Sequence, residues 1–355
     1  MMMNRTAGPA PRAADLGTLP VNVDDRIVWD SWLSLFHFPV VSVADEVGTF
    51  AAISDRAKDT GEIAAELQLD ARALAVHLAM LAALGFVERR EGRWRATAAT
   101  RTWLHPEADG YAGPLLHRFK ERQPFHAQLL ETLRTGEKAG EYASVAQEWE
   151  RGEMPPDLAR MITAFMNAHS RASSLAVGQQ PLFATVRSVL DVGGGSGVFS
   201  IELARAWPQL SATVLEIDTI CVEARRYIAA AGVAARVQAH AANMFTQPWP
   251  GGHDAHFFSN IFHDWSDNTC RLLARKSFEA LAPGGRILLH EILLDDDGCG
   301  PLPAAAFSLL MLLGTRGRQY SLSELRQFLE PAGFIDIEAA RTGGGYYSLV
   351  SARKP

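Results

Sequence analysis

Apolar residues recur at three-and-four spacing through Trp29, Trp32, Leu33 and Phe36, and again through Ile63, Leu67, Leu74, Leu78, Leu81 and Leu84. That period predicts a run of short helices from Asp25 to about Glu107. Apolar and polar residues then alternate from Leu84 to Thr97 around Glu91-Gly92, which predicts a small hairpin. Helices closed by such a wing form a winged-helix-like unit. The preceding helix, Asp70 to Leu84, is mostly Ala and Leu, so it must be buried or must pair with another subunit. Tyr111 to Gln179 continues as helix, with a breaker at Gly152 to Pro156.

From Pro181 the period changes. Short apolar runs at Ser188 to Val192, Ala212 to Glu216, Arg236 to His240, Asp254 to Ser259 and Arg286 to His290 alternate with helical stretches. Such alternation predicts a parallel sheet covered by helices on both faces. A helical Ala304 to Leu313, a last helix (Leu322 to Glu330) and two strands (Ile335 to Ala339, Tyr346 to Ala352) complete the pattern. The predicted organisation is a disordered lead (1–20), a winged-helix-like domain (21–108), a helical linker with the acceptor-pocket region (109–180) and an α/β domain (181–355).

The chain has 355 residues, a formal net charge of -6 and no lysine-arginine cluster, which argues against a nucleic-acid binder. Its longest apolar runs, such as Pro303 to Gly314, are read as too short to span a membrane. The first 20 residues lack the apolar core of a secretory signal, and a cytoplasmic protein is expected. Cys221, Cys270 and Cys299 form no metal pattern, and the histidines show no zinc spacing, so no metal is expected.

The first strand of the α/β domain runs into Asp191-Val-Gly-Gly-Gly-Ser-Gly197. Gly193, Gly195 and Gly197 remove side chains where a ligand's polar tail meets the backbone, and the helix that follows offers unpaired amides. The third glycine of the dinucleotide fingerprint is absent, since Val198 follows. What fits is a zwitterionic adenosine ligand such as S-adenosylmethionine, its ammonium near Asp191. Glu216, at the end of the second strand, is placed to accept ribose hydroxyls, with Ile217 beside it; Asp218 is the rival, and a helix-capping role is the alternative. Asn243, Met244 and Phe245 offer an amide and a thioether to adenine, although Met244 also reads as core.

A second stretch, Phe257-Phe-Ser-Asn-Ile-Phe-His-Asp-Trp-Ser266, ends a strand with His263 on the crevice side. A histidine titrates near pH 6.5, so it can take a proton from a phenolic hydroxyl at neutral pH. Glu291, at the next strand's end, is expected to reach it and steady the imidazolium. Taken alone such a histidine is more often structural; the glycine loop, Glu216 and Glu291 on the same sheet edge favour catalysis.

These motifs resemble the small-molecule O-methyltransferases that use S-adenosylmethionine. Asp191 to Gly197, Phe262-His-Asp-Trp265 and Leu281-Ala-Pro-Gly-Gly285 carry the resemblance, which extends over nearly the whole chain. It implies a class I methyltransferase fold, a Rossmann-like doubly wound sheet of seven strands, with an N-terminal dimerisation domain and therefore a homodimer. It implies His263 as general base, Glu291 and Gln319 as its orienting groups, and S-adenosylhomocysteine as product. Asn260 and Trp265 join the cofactor set, while Phe119, Phe165, Met166, Phe262, Asp264, Phe307 and Met311 line an apolar pocket for an aromatic or polyketide-like acceptor. Asn243 and Gln319 stand where the family more often has acidic residues. Transfer to carbon or nitrogen, or a non-methylating reaction on the same scaffold, is the alternative.

Overall fold

The structure, a computed structural model, describes residues 24–138, 148–343 and 345–355. The expected lead at 1–20 lies outside the described residues. The N-terminal helices are α1 (Arg26–Leu33), α2 (His37–Glu46), α3 (Thr49–Ala52), α4 (Thr60–Leu67) and α5 (Ala71–Ala83). Side chains set their starts. Asp59 and Glu62 form a reciprocal capping box on α4, and Asp70 accepts the Ala73 amide at the head of α5. The hairpin follows as β1 (Val87–Arg90) and β2 (Arg93–Ala96). Glu91 and Gly92 both take left-handed φ values, +49° and +77°, as a tight two-residue hairpin turn requires. α6 (Ala98–Trp103), α7 (Gly113–Lys120), α8 (Pro124–Thr135) and the long α9 (Pro156–Gly178) lead to the sheet.

The α/β part comprises β3 (Ser188–Val192), α10 (Val198–Ala206), β4 (Ser211–Glu216), α11 (Asp218–Ala230), β5 (Val237–Ala241), β6 (Ala255–Ser259), α12 (Asp267–Ala280) and β7 (Arg286–Glu291). α13 (Leu302–Gly314), α14 (Leu322–Leu329), β8 (Ile335–Arg341) and β9 (Ser348–Arg353) follow. The seven strands lie in the order β5-β4-β3-β6-β7-β9-β8. This is the α/β class predicted. The five strands from β5 to β7 are parallel, whereas β9 inserts antiparallel between β7 and β8. Strand order reverses at β3 and β6, so a crevice opens outside their carboxyl ends.

Two apolar layers cover the sheet. Leu190, Phe258 and Leu289 face one layer, with Phe328 and Phe334; Val189, Phe257 and Leu288 face the other, with Phe199 and Val214. The third cluster belongs to the N-terminal helices, and α13 enters it. Leu74 and Leu78 of α5 share that core with Ala305, Phe307 and Leu309. The apolar face of α5 is therefore covered by this chain's own α13. One expectation needs correction: the helical stretch Arg26–Glu46 is long and apolar enough to cross a membrane, and half of it is buried. Its apolar positions Trp29, Leu33, Phe36 and Val40 are core residues of the fold.

Candidate active site

A cavity of about 690 Å³ runs from the carboxyl ends of β3, β4 and β6 to α9, α13 and the N-terminal helices. At its sheet end the glycine loop turns through positive φ at Gly193, Gly195 and Gly197. A Cβ on Gly193 would stand 2.5 Å from Ile261 Cδ1, so no larger residue fits there without displacing that wall. The Gly195 amide donates to Glu216 Oε1 (3.3 Å), and the Ile217 amide donates to Oε2 (3.0 Å). Burial nevertheless pushes Glu216 up to about 7. Asp191 accepts the Ser200 hydroxyl at 2.7 Å through Oδ2, and burial raises it to about 6.

Asp191, Gly193, Gly195, Glu216, Ile217, Met244, Phe245, Asn260 and Trp265 all line this end, as expected of a shared site. Phe245 packs edge-on to Trp265 at 4.7 Å. Two expected members lie elsewhere. Gly197 caps α10, and a Cβ there would press on Val214, so its role in the structure is packing. Asn243 is also off the cavity wall: its Oδ1 accepts the Phe245 and Thr246 amides, and its Nδ2 donates to the Glu150 carbonyl. That side chain ties a turn to the helical segment before α9. Gly194, Ser196, Trp149 and Ile220 line the same end and were not anticipated.

His263 occupies a short 3-10 turn, Phe262–Asp264, directly after β6. Glu291 comes from the end of β7, the adjacent parallel strand. Its Oε1 accepts the Ile261 and Phe262 amides at 3.2 and 3.1 Å, which fixes the carboxylate, and Oε2 lies 3.0 Å from His263 Nδ1. That contact has ion-pair distance but lies off the hydrogen-bond line. The Gln319 amide meets the same nitrogen at 2.8 Å. Its Nε2 is assigned to that contact while Oε1 is left without a partner among the described residues. Turning the amide end for end lets Oε1 accept a proton carried on Nδ1, an equally valid assignment of the two atoms. Nε2 then faces the cavity, with Asp264 Oδ1 3.6 Å away.

Burial alone would lower the His263 pKa, but the Glu291 carboxylate, aided by Asp264, outweighs it and holds the ring above its ordinary value. Asp264 lines the cavity and is partly buried, and the desolvation raises it to about 6. A hydroxyl brought to Nε2 of His263 would meet a nitrogen able to accept its proton and a carboxylate ready to share the charge.

Phe165, Met166, Phe307 and Met311 line the far end of the cavity, as expected. Phe119 and Phe262 do not. Phe119 lies on α7 outside the cavity and is largely exposed, because α7 turns its apolar side outward. Phe262 is fully buried on the sheet side, edge-on to Phe258 at 5.5 Å, since the 3-10 turn that presents His263 points its neighbour inward. Trp32, Phe36, Gln128, His169 and Leu310 line this end without having been singled out. Trp32 and Phe36 belong to a helical stripe that gives no sign of which member meets a cavity.

The sequence pattern of the O-methyltransferase domain family matches residues 126–335. The chain belongs to that family. It is similar to a 3-hydroxy-5-methyl-1-naphthoate 3-O-methyltransferase of Streptomyces sahachiroi, 33% identical over 92% of this chain and 94% of that one. Acetylserotonin O-methyltransferase of Bos taurus is 37% identical, over 47% of each chain. In fold it resembles an O-methyltransferase family 2 protein from Planctomyces limnophilus, solved in complex with apigenin, with a TM-score of 0.82 at 24% identity, covering 96% of this chain and 99% of that one. The protein is an O-methyltransferase, and its cofactor is S-adenosylmethionine, on which this family depends.

The residues of this O-methyltransferase fit that cofactor. Asp191 Oδ1, Asn260 Oδ1 and Trp265 Nε1 are buried without partners among the described residues, and all three residues line the sheet end of the cavity. Buried polar atoms of this kind are costly unless a ligand meets them. Glu216 and Asp191, both held toward the neutral form by burial, gain most from donors such as ribose hydroxyls and an ammonium group.

Proposed function

We propose that this enzyme methylates a hydroxyl of a flat aromatic or polyketide-like acceptor, with His263 as general base. The observation that carries the proposal is the position of His263: paired at Nδ1 with Glu291 and Gln319, and open at Nε2 to a cavity walled by Phe165, Phe307 and Met311. The relative from Streptomyces sahachiroi is named for a naphthoate hydroxyl, which is the same chemical class.

S-adenosylmethionine supplies an electrophilic methyl on a good leaving group. The protein's work is to align the acceptor oxygen, keep water out and take the proton. As the oxygen–methyl bond forms, the acceptor's hydroxyl proton passes to Nε2 of His263. Gln319 fixes the tautomer by accepting from Nδ1, and the Glu291 carboxylate stabilises the imidazolium. Asp191 and the Gly193–Gly195 turn hold the methionine end, Glu216 the ribose, and Met244, Phe245 and Trp265 the adenine side. The products are a methyl ether and S-adenosylhomocysteine.

The same reading includes a cytoplasmic homodimer formed through the winged-helix-like N-terminal domain. Ile27, Val28, Leu35 and Leu115 support it, as large apolar residues left exposed on or beside α1 and α7. Light scattering tests it, and a monomer at micromolar concentration would refute it.

The test of the reaction is methyl transfer from labelled S-adenosylmethionine to a panel of phenols, naphthols and polyketide phenols. His263→Ala should lower turnover by roughly 10²–10⁴-fold and leave S-adenosylhomocysteine affinity within about twofold. Unchanged turnover with a neutral phenol would remove His263 from the base role.

A further inference from the structure

Between α13 and α14 the chain runs without helix through Thr315 to Tyr320, and this segment clasps the turn that carries His263. The Arg316 amide donates to the Asp264 carbonyl at 3.1 Å. Gly317 lies directly on the turn: a Cβ there would stand 2.0 Å from the His263 carbonyl oxygen and 2.7 Å from the Trp265 nitrogen, so the contact requires glycine. Gln319 sends its amide to His263 Nδ1 at 2.8 Å. The next residue, Tyr320, sends its hydroxyl to the far end of the same turn, where it donates to the Trp265 carbonyl at 2.9 Å with Asp267 Oδ1 at 3.2 Å.

Tyr320 is itself held rigidly. Its ring is buried, with the Arg318 guanidinium 4.5 Å from its centroid and Phe328 edge-on at 5.1 Å. Arg318 is fixed in turn by Glu324 of α14, with Nη2 2.7 Å from Oε1. The Cys270 thiol of α12 donates to the Phe262 carbonyl at 3.2 Å and lies 3.9 Å from the Tyr320 oxygen, closing the inner side of the turn. Burial raises the phenol well above its ordinary range, so the hydroxyl remains a donor at any pH at which the enzyme works. The turn needs such a hold. Glu291 lies off the hydrogen-bond line to Nδ1, so the carboxylate supplies charge at 3.0 Å without fixing the direction of the ring.

We infer that Tyr320 is a positioning residue for methyl transfer: by gripping the Trp265 carbonyl it locks the turn where Gln319 and Glu291 meet Nδ1 of His263 and Nε2 faces the cavity. Gly317 serves the same end by letting the two backbones touch. The inference rests on the reading of His263 as the base and adds the device that aims it.

The test reads the ring directly. The pKa of His263 is measured by NMR on the full histidine-labelled chain saturated with S-adenosylhomocysteine, its signal assigned by loss in His263→Ala. Turnover is followed with the phenol that the wild type methylates fastest. Tyr320→Phe keeps the ring between Arg318 and Phe328 and removes only the hydroxyl. It should lower the His263 pKa by about 0.5 or more, because a loosened turn weakens the Glu291 pairing. It should also lower kcat roughly tenfold and leave the acceptor KM within about threefold, since the walls from α9 and α13 are untouched. Gln319→Leu combined with Tyr320→Phe should cost little more than the worse single change, as both act on one turn. An unmoved pKa, or losses that simply add, would overturn the inference. So would a lowered pKa with full turnover when His263→Ala is inactive. If His263→Ala keeps its turnover, the base reading falls, and a lowered pKa in Tyr320→Phe still identifies the tyrosine as the residue that sets the ring. Should Tyr320→Phe not fold, Gly317→Ala decides, because it displaces the same turn at the His263 carbonyl and carries the same expected signature. Failure of both to fold would make the segment a part of the fold alone and end the inference.

Discussion

Glu291 reaches His263 from the end of the adjacent strand and stops at Nδ1, 3.0 Å away, which leaves the second ring nitrogen to the cavity. Because the net effect of this partner is to raise the His263 pKa, the base form is lost at a higher pH than for a free histidine. Turnover should therefore fall on acidification with a midpoint above about 6.5. Glu291→Gln removes the charge but keeps the shape, so the midpoint should move to lower pH while turnover drops by roughly 10–100-fold, which corresponds to about 1.4–2.7 kcal/mol of lost imidazolium stabilisation. A pH profile of kcat/KM for both proteins checks this, and coincident midpoints would show that the pairing does not govern the base.

Glu216 gives a second titration. A carboxyl whose folded pKa is raised to about 7 adds stability that is complete below its ordinary value of 4.5 and is lost as pH climbs through about 7. The cofactor-free protein should thus lose Tm across that window, and Glu216→Gln should lose less. Ligand hydroxyls that donate to Glu216 favour its ionised form, so S-adenosylhomocysteine should bind near pH 6.5 with release of up to about one proton. Binding heats in two buffers of different ionisation enthalpy read the proton directly. Equal heats would mean that Glu216 is already charged.

Phe307 and Phe119 separate wall from surface. Phe307 is buried against His263 and lines the cavity, whereas Phe119 lies outside it on α7. Phe307→Leu should raise the acceptor KM at least about tenfold and cost about 1 kcal/mol of stability. Phe119→Ala should leave KM within about twofold. Steady-state kinetics with one naphthol ester suffices, and a reversed order of effects would redraw the cavity wall.

What could be read from the sequence was local. The glycine turn, Glu216, His263 and Glu291 each sit at the end of an apolar strand, and a parallel sheet gathers such ends at one edge whatever the loops do. The hairpin at Glu91-Gly92 was legible for the same reason, since turn chemistry is set by neighbouring residues. Long-range placement was not. Nothing in β9's alternation says that it returns antiparallel between β7 and β8, and an apolar α13 reads as core without saying whose core. Trp32 and Phe36 kept helical spacing like any buried stripe, so their place on the cavity wall emerged only from packing. Asn243 shows the limit of residue type as a signal, because an amide suited to adenine is equally suited to closing a turn, which is what it does in the structure.

The passage of α13 into the N-terminal core has a consequence for engineering. A chimera cut at the junction before the sheet would treat the two parts as cassettes. Here the cut would separate α5 from the helix that covers it and Trp29 from Phe307, 5.6 Å away. A working chimera must inherit residues 26–135 and 302–314 from the same parent, because the wall that selects the acceptor and the core that steadies the N-terminal helices are built from one shared set of side chains.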